Sequence, residues 1–130
     1  MLFSAAILAS CTSRETAMPP NATLGARANA SPVVKHGGDP EIVAMAFNKL
    51  DVIRGEIWSG DFVTSTNVAS LEVRTNLFSI NVPRTTFGHF HYEEDLLDVP
   101  SIFVRGYAVR VIARNAAGTE AEEDVPLRIR

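Results

Sequence analysis

The sequence predicts an all-β domain, a seven-stranded antiparallel sandwich of two sheets over residues 41–130. Three observations lead there. Residues 105–118 read RGYAVRVIARNAAG. Tyr107, Val109, Val111 and Ala113 fall on one side at a period of two, and Arg110 and Arg114 on the other. That is the alternation of a strand with one face buried and one wet. Short runs rich in Val, Ile, Phe and Thr recur from residue 41 onward, with turn residues between them. None of these runs holds a helical period.

The strands are expected in chain order as follows. Residues 42–47 form the first. Residues 55–64 form the second, carrying Ile57, Trp58, Phe62 and Val63. Residues 67–75 form the third, with Leu71 and Val73 sharing a face. Residues 77–82 form the fourth, with Phe78, Ile80 and Val82 in step, stopped by Pro83. Residues 86–93 form the fifth. Residues 103–114 and 124–130 complete the set as a hairpin, joined through the small turn residues 115–118. Residues 95–101 have room for one short helical turn. Closing two such sheets leaves both outer faces wet and sets Trp58, Phe62, Phe78, Phe90 and Tyr107 in the core. Each buried aromatic removes roughly 150–250 Å² from water.

The length of 130 residues suits one domain with tails. A net charge of -3, with basic residues unclustered, argues against a nucleic-acid partner. The single cysteine, Cys11, cannot close an internal disulfide or build a structural zinc site alone. Residues 1–10 read MLFSAAILAS. The run is shorter than the roughly 20 apolar residues a membrane-spanning helix needs, but suits the apolar region of a secretion signal. Residues 12–40 are rich in Thr, Ser, Ala, Asn, Gly and Pro and show no sustained period. Such a composition buries little apolar surface, so residues 11–40 are expected to be a flexible spacer, with Val33 and Val34 touching the domain edge.

Two resemblances add to this. Leu8-Ala9-Ser10-Cys11 resembles the lipobox of bacterial lipoproteins. It implies that residues 1–10 are a signal peptide and that Cys11 carries the lipid, anchoring the protein in the bacterial cell envelope, facing the periplasm or the surface. Further on, Gly106-Tyr107-x-Val109-x-Val111-x-Ala113-x-Asn115-x-x-Gly118 resembles the penultimate strand and last turn of bacterial immunoglobulin-like and fibronectin type III domains. Residues 67–73, Val99-Pro100 and Gly55 resemble the same family's third strand, its lead into the tyrosine strand and a turn glycine. The resemblance implies an immunoglobulin-like sandwich. Tyr107 would sit at a sheet corner with its hydroxyl on backbone, and Val109 where antibody domains place a cysteine. Trp58 falls on the second strand, so the antibody tryptophan does not carry over.

The chemistry-bearing residues are sparse. His89 and His91 share one face of a strand, and side chains at i and i+2 suit a shared metal, with Glu93, Glu94 or Asp95 adding oxygen. The commoner arrangement is a solvated face with Phe90 and Tyr92 turned inward. The adjacent acids at 93–95 and 120–124 read as solvated charge, or as a calcium loop. Arg105, Arg110, Arg114, Arg128 and Arg130 fall on the last two strands and read as a mixed solubility face or a contact surface. Phe87 beside His89 suits sugar stacking. The expectation is a non-catalytic, cofactor-free lipoprotein that presents its domain for adhesion, scaffolding or binding of a protein or glycan. The alternatives are a carbohydrate-binding module and a metal-binding envelope protein using His89 and His91.

Overall fold

The computed structural model describes residues 17–97 and 99–130. The expected signal peptide and Cys11 lie outside the described residues. The described chain is all-β, with ten strands in two mixed five-stranded sheets and one short 3₁₀ turn, Ser101–Phe103. The strands are β1 (Ala22–Leu24), β2 (Ile42–Phe47), β3 (Asp51–Val52), β4 (Ile57–Thr64), β5 (Val68–Arg74), β6 (Ser79–Val82), β7 (Arg84–Thr86), β8 (His89–Asp95), β9 (Gly106–Asn115) and β10 (Glu120–Ile129). One sheet runs β1-β2-β4-β8-β7, and the other β3-β10-β9-β5-β6.

The seven expected strands correspond to β2, β4, β5, β6, β8, β9 and β10. The count of seven is corrected to ten by β1, β3 and β7, each of two or three residues. The arrangement is also not wholly antiparallel: β1 lies parallel to β2, and β3 parallel to β10. Strands this short carry too little alternation to stand out in a sequence, and main-chain bonds to a longer neighbour hold them. The hairpin of β9 and β10 pairs Arg114 with Glu120 and Gly106 with Arg128. It is longer than expected, since β10 begins at Glu120 and absorbs the acidic run. Pro126 sits inside it, opposite Ala108.

Residues 17–40 differ most from expectation. In place of a free spacer, they run along the folded unit. Asn21 accepts from the Met45 amide through its carbonyl and donates from its side chain to the Ile42 carbonyl and to Glu123. The Ala28 amide donates to Asp61 at 2.7 Å. Val33 bridges to Ser65. Asn67 and Asn115 donate to the Gly38 carbonyl. One outer face is therefore partly covered, and Val63, which points outward on β4, is fully buried. Gly88 permits this. A side chain there would meet Pro32 at 2.6 Å, and its φ of +81° already favours glycine.

Between the sheets lies a core with aromatic rings at its centre. Phe47, Trp58, Phe62, Phe90 and Tyr92 from the first sheet are buried, and Phe78 and Tyr107 approach from the second. Trp58 meets Tyr92 edge-on at 5.2 Å and Phe78 edge-on at 6.3 Å. Phe78 in turn meets Tyr107 at 6.2 Å. Leu71 and Val73 both point inward, as do Val109, Val111 and Ala113. The Tyr107 hydroxyl donates to the Phe103 carbonyl at 2.6 Å.

Pairing fixes the two ends. The upper end carries the turns at 53–56 and 75–78, residues 99–105 and the C-terminus. The lower end carries the turns at 65–67, 87–88 and 116–119. Because β1 runs parallel to β2 and Asn21 bonds Ile42, the chain enters β1 from the lower side.

Gly60 shows how tightly the rings close. It faces inward between Trp58 and Phe62, opposite Tyr92. A Cβ there would lie 2.5 Å from the Tyr92 ring and 2.9 Å from Phe62. Overpacking of this kind typically costs about 1–3 kcal/mol. Gly60→Ala is expected to destabilise the domain by that amount in urea unfolding. An unchanged midpoint would show that the rings yield freely.

Candidate functional site

The histidines sit on the outer face of the first sheet. His89 and His91 alternate with the buried Phe90 and Tyr92 along β8, so the expected facing is observed. His91 lies opposite Asp61 on β4, with Nδ1 3.0 Å from the carboxylate, and its Nε2 is 3.4 Å from Glu93. Asp61 is also occupied by the Ala28 amide. A cavity of about 430 Å³ lies here, lined by Arg27, Asp61, Thr85, His89 and His91 among others. Among the described residues, no group of three or more His, Cys, Asp or Glu is placed to hold a metal ion. Phe87 is exposed nearby, and the Arg84 guanidinium stacks on it at 4.5 Å. His36 lies apart from this pair, in a hollow with Phe87 and Asn115.

The outer face of the second sheet is a charge network. Glu72 on β5 is buried, and takes both Nε and Nη2 of Arg74, the Ser79 hydroxyl at 2.5 Å and the Arg114 guanidinium at 3.0 Å. Arg114 also pairs with Glu120, and Arg110 with Glu122 and Asp124. Ile112 points outward between the two arginines and is nevertheless buried, covered by the aliphatic stems around it. Hydrogen bonds from Arg74 and Ser79 outweigh burial and hold the Glu72 carboxyl down at about 2. Arg130 pairs with Asp51 at the β3 edge, and Arg105 stacks on the Tyr107 ring at 5.0 Å. The arginine face is thus largely neutralised by its own acids.

The upper end is different in kind. A cavity of about 320 Å³ opens there between the sheets. Its walls come from β4 (Trp58), Phe78 just before β6 and Ile80 within it, Glu94 at the end of β8 and Leu96 just after it, and Val99, Pro100 and Phe103, with Ile129 of β10. Two buried polar atoms in neighbouring rings, Trp58 Nε1 and the Tyr92 hydroxyl, have no hydrogen-bond partner among the described residues. Burial, then the Glu94 charge, raises the Tyr92 phenol well above its ordinary range. Around this end stand Ile53, Ile57, Leu77, Leu97, Ile102 and Val104, all exposed. They account for six of the eleven exposed large hydrophobic residues among those described. No family model matches the chain, and no curated protein matches it in sequence.

Among the described residues, no helix is long and apolar enough to cross a membrane. The upper cavity was not anticipated from sequence. Its residues come from five separate segments that no sequence pattern joins.

The Glu72 network carries a pH signature. Its folded value of about 2 lies below the ordinary 4.5. Its stabilisation is therefore fully present above pH 4.5 and is lost as pH falls toward 2. Glu72→Gln is expected to cost about 2 kcal/mol at neutral pH, the scale of a lost hydrogen bond to a charged group. The gap from wild type should narrow below pH 4.5 and close near pH 2, read from unfolding midpoints across pH. A gap constant over that range would deny the ionised network its role.

Proposed function

We propose that this chain is a non-catalytic bacterial envelope lipoprotein, lipidated at Cys11, which presents an immunoglobulin-like sandwich for binding a partner. The carrying observation is the polarity of the folded unit. The chain enters from the lower side, and exposed aliphatic residues ring the upper end around an open cavity. A tether on one side and an apolar surface on the other suit a module that engages something away from its anchor.

The immunoglobulin-like reading is supported by strand order. Taking β2, β4, β5, β6, β7, β8, β9 and β10 as strands A, B, C, C′, D, E, F and G, the sheets run A-B-E-D and G-F-C-C′. That order is consistent with an immunoglobulin arrangement carrying one of the two extra strands of variable-type domains. Tyr107 lies near the start of strand F with its hydroxyl on the carbonyl four residues upstream, and Val109 is fully buried two residues later. These are the places of the tyrosine corner and of the second antibody cysteine.

The carbohydrate-binding alternative asks for a row of exposed rings. Phe87 alone is exposed among the described aromatics, and an arginine already covers it. The metal-binding alternative asks for a third ligand beside His89 and His91, where Asp61 is engaged by backbone.

The anchor is tested by feeding cells a fatty-acid analogue and comparing the intact chain with Cys11→Ala. Label is expected on the first and absent from the second. Equal label on both would remove the lipoprotein reading.

A further inference from the structure

The cavity at the upper end has features that narrow its occupant. Its wall is mostly apolar: Trp58, Phe78, Ile80, Leu96, Val99 and Phe103 supply much of it. Trp58 is fully buried, and its indole N–H meets no acceptor among the described residues. Glu94 stands opposite Trp58 in the strand register and lines the same cavity, yet it is exposed. It enters none of the ion pairs formed among the described residues, unlike Glu72, Glu93, Glu120 and Glu122. The mouth therefore offers a free negative charge beside an apolar recess. The exposed ring of Ile53, Ile57, Leu77, Leu97, Ile102 and Val104 extends the apolar surface well beyond the cavity itself, further than a small molecule filling the recess would cover.

We propose that this end docks a segment of a partner protein that inserts an aliphatic side chain into the cavity and sets a lysine or arginine against Glu94. Each feature of the site has its counterpart in such a segment. The side chain fills the recess, the cation pairs with Glu94, and flanking residues cover the aliphatic ring. An acidic segment would meet repulsion at Glu94, so charge sets specificity where the apolar contact supplies attraction. This inference rests on the reading of the domain as a binding module, and it is independent of the anchor.

Trp58 is the only tryptophan in the chain, so its fluorescence reports on the cavity wall directly. The full chain carrying Cys11→Ala is titrated with acetyl-Gly-Leu-Lys-Gly-amide, with its Leu-Glu counterpart and with hexylamine. The Leu-Lys peptide is expected to shift Trp58 emission saturably and to bind roughly threefold or more tightly than the Leu-Glu peptide, the scale of one exposed charge pair. Glu94→Gln is expected to erase that preference without changing thermal unfolding. Val99→Phe, which fills the recess, is expected to abolish the shift. Three results would overturn the proposal: no saturable shift with either peptide, a peptide preference that survives Glu94→Gln, or hexylamine binding as tightly as the Leu-Lys peptide, which would mark a small-amine site. Failure of the acyl label at Cys11 leaves all of these readings intact, so the two ideas fall separately.

Discussion

The structure depends on a relay of aromatic rings that joins its two sheets. Trp58 stacks with Phe47 at 6.2 Å and meets Tyr92 within the first sheet. It reaches across to Phe78, which touches Tyr107 on β9 of the second. With one cysteine in the chain, no internal disulfide ties the layers together. Area removed from water by large rings, and their edge-to-face contacts, do that work instead. The relay ends on a polar contact, the Tyr107 hydroxyl on the Phe103 carbonyl, which pins the crossing from β8 to β9. Trp58 and Phe78 of this relay also wall the upper cavity, so the core and the candidate site share their central residue, Trp58.

That sharing explains why the buried donor on Trp58 is tolerable. An indole sits at the sheet centre because its area is needed there, and its N–H must then point somewhere. Neighbouring Phe47 and Phe78 offer faces and edges but no acceptor, and the Tyr92 hydroxyl, though an acceptor, does not bond it. A core optimised for stability alone would place phenylalanine or leucine at this position. An unpaired donor beside an open recess is the kind of local conflict that tends to mark a functional position.

Much of the frame was legible because its long strands alternate cleanly. Tyr107, Val109, Val111 and Ala113 declared β9, and Leu71 with Val73 declared β5. What escaped were pieces held by main chain rather than by side-chain pattern. Ala22–Leu24 and Arg84–Thr86 have no hydrophobic rhythm of their own, yet each pairs with a long neighbour. The polar composition of residues 17–40 argued for a free chain, because it counts apolar surface and ignores backbone partners. Asn21, Asn67 and Asn115, together with the glycine at 88 that makes room for Pro32, dock that stretch by hydrogen bonds and shape. The cavity was beyond reach for a different reason, since its walls meet only when five segments fold together.

Charge and grease are also divided between surfaces. On the outer face of the second sheet, Arg110 finds two acids on β10, Arg114 finds one on β5 and one on β10, and Glu72 gathers three donors. Binding through that face would require breaking pairs already satisfied, with little net return from new ones. The outer face of the first sheet is partly occupied by residues 25–33 and by the contacts of Asp61. The upper end differs on both counts: its aliphatic side chains remain in water, and Glu94 keeps its charge without a pair among the described residues. Covering it disrupts none of the networks that stabilise the sheets. A partner meeting the domain there gains apolar burial while the fold gives up nothing, which is why the end, and neither sheet face, is the place to look for recognition.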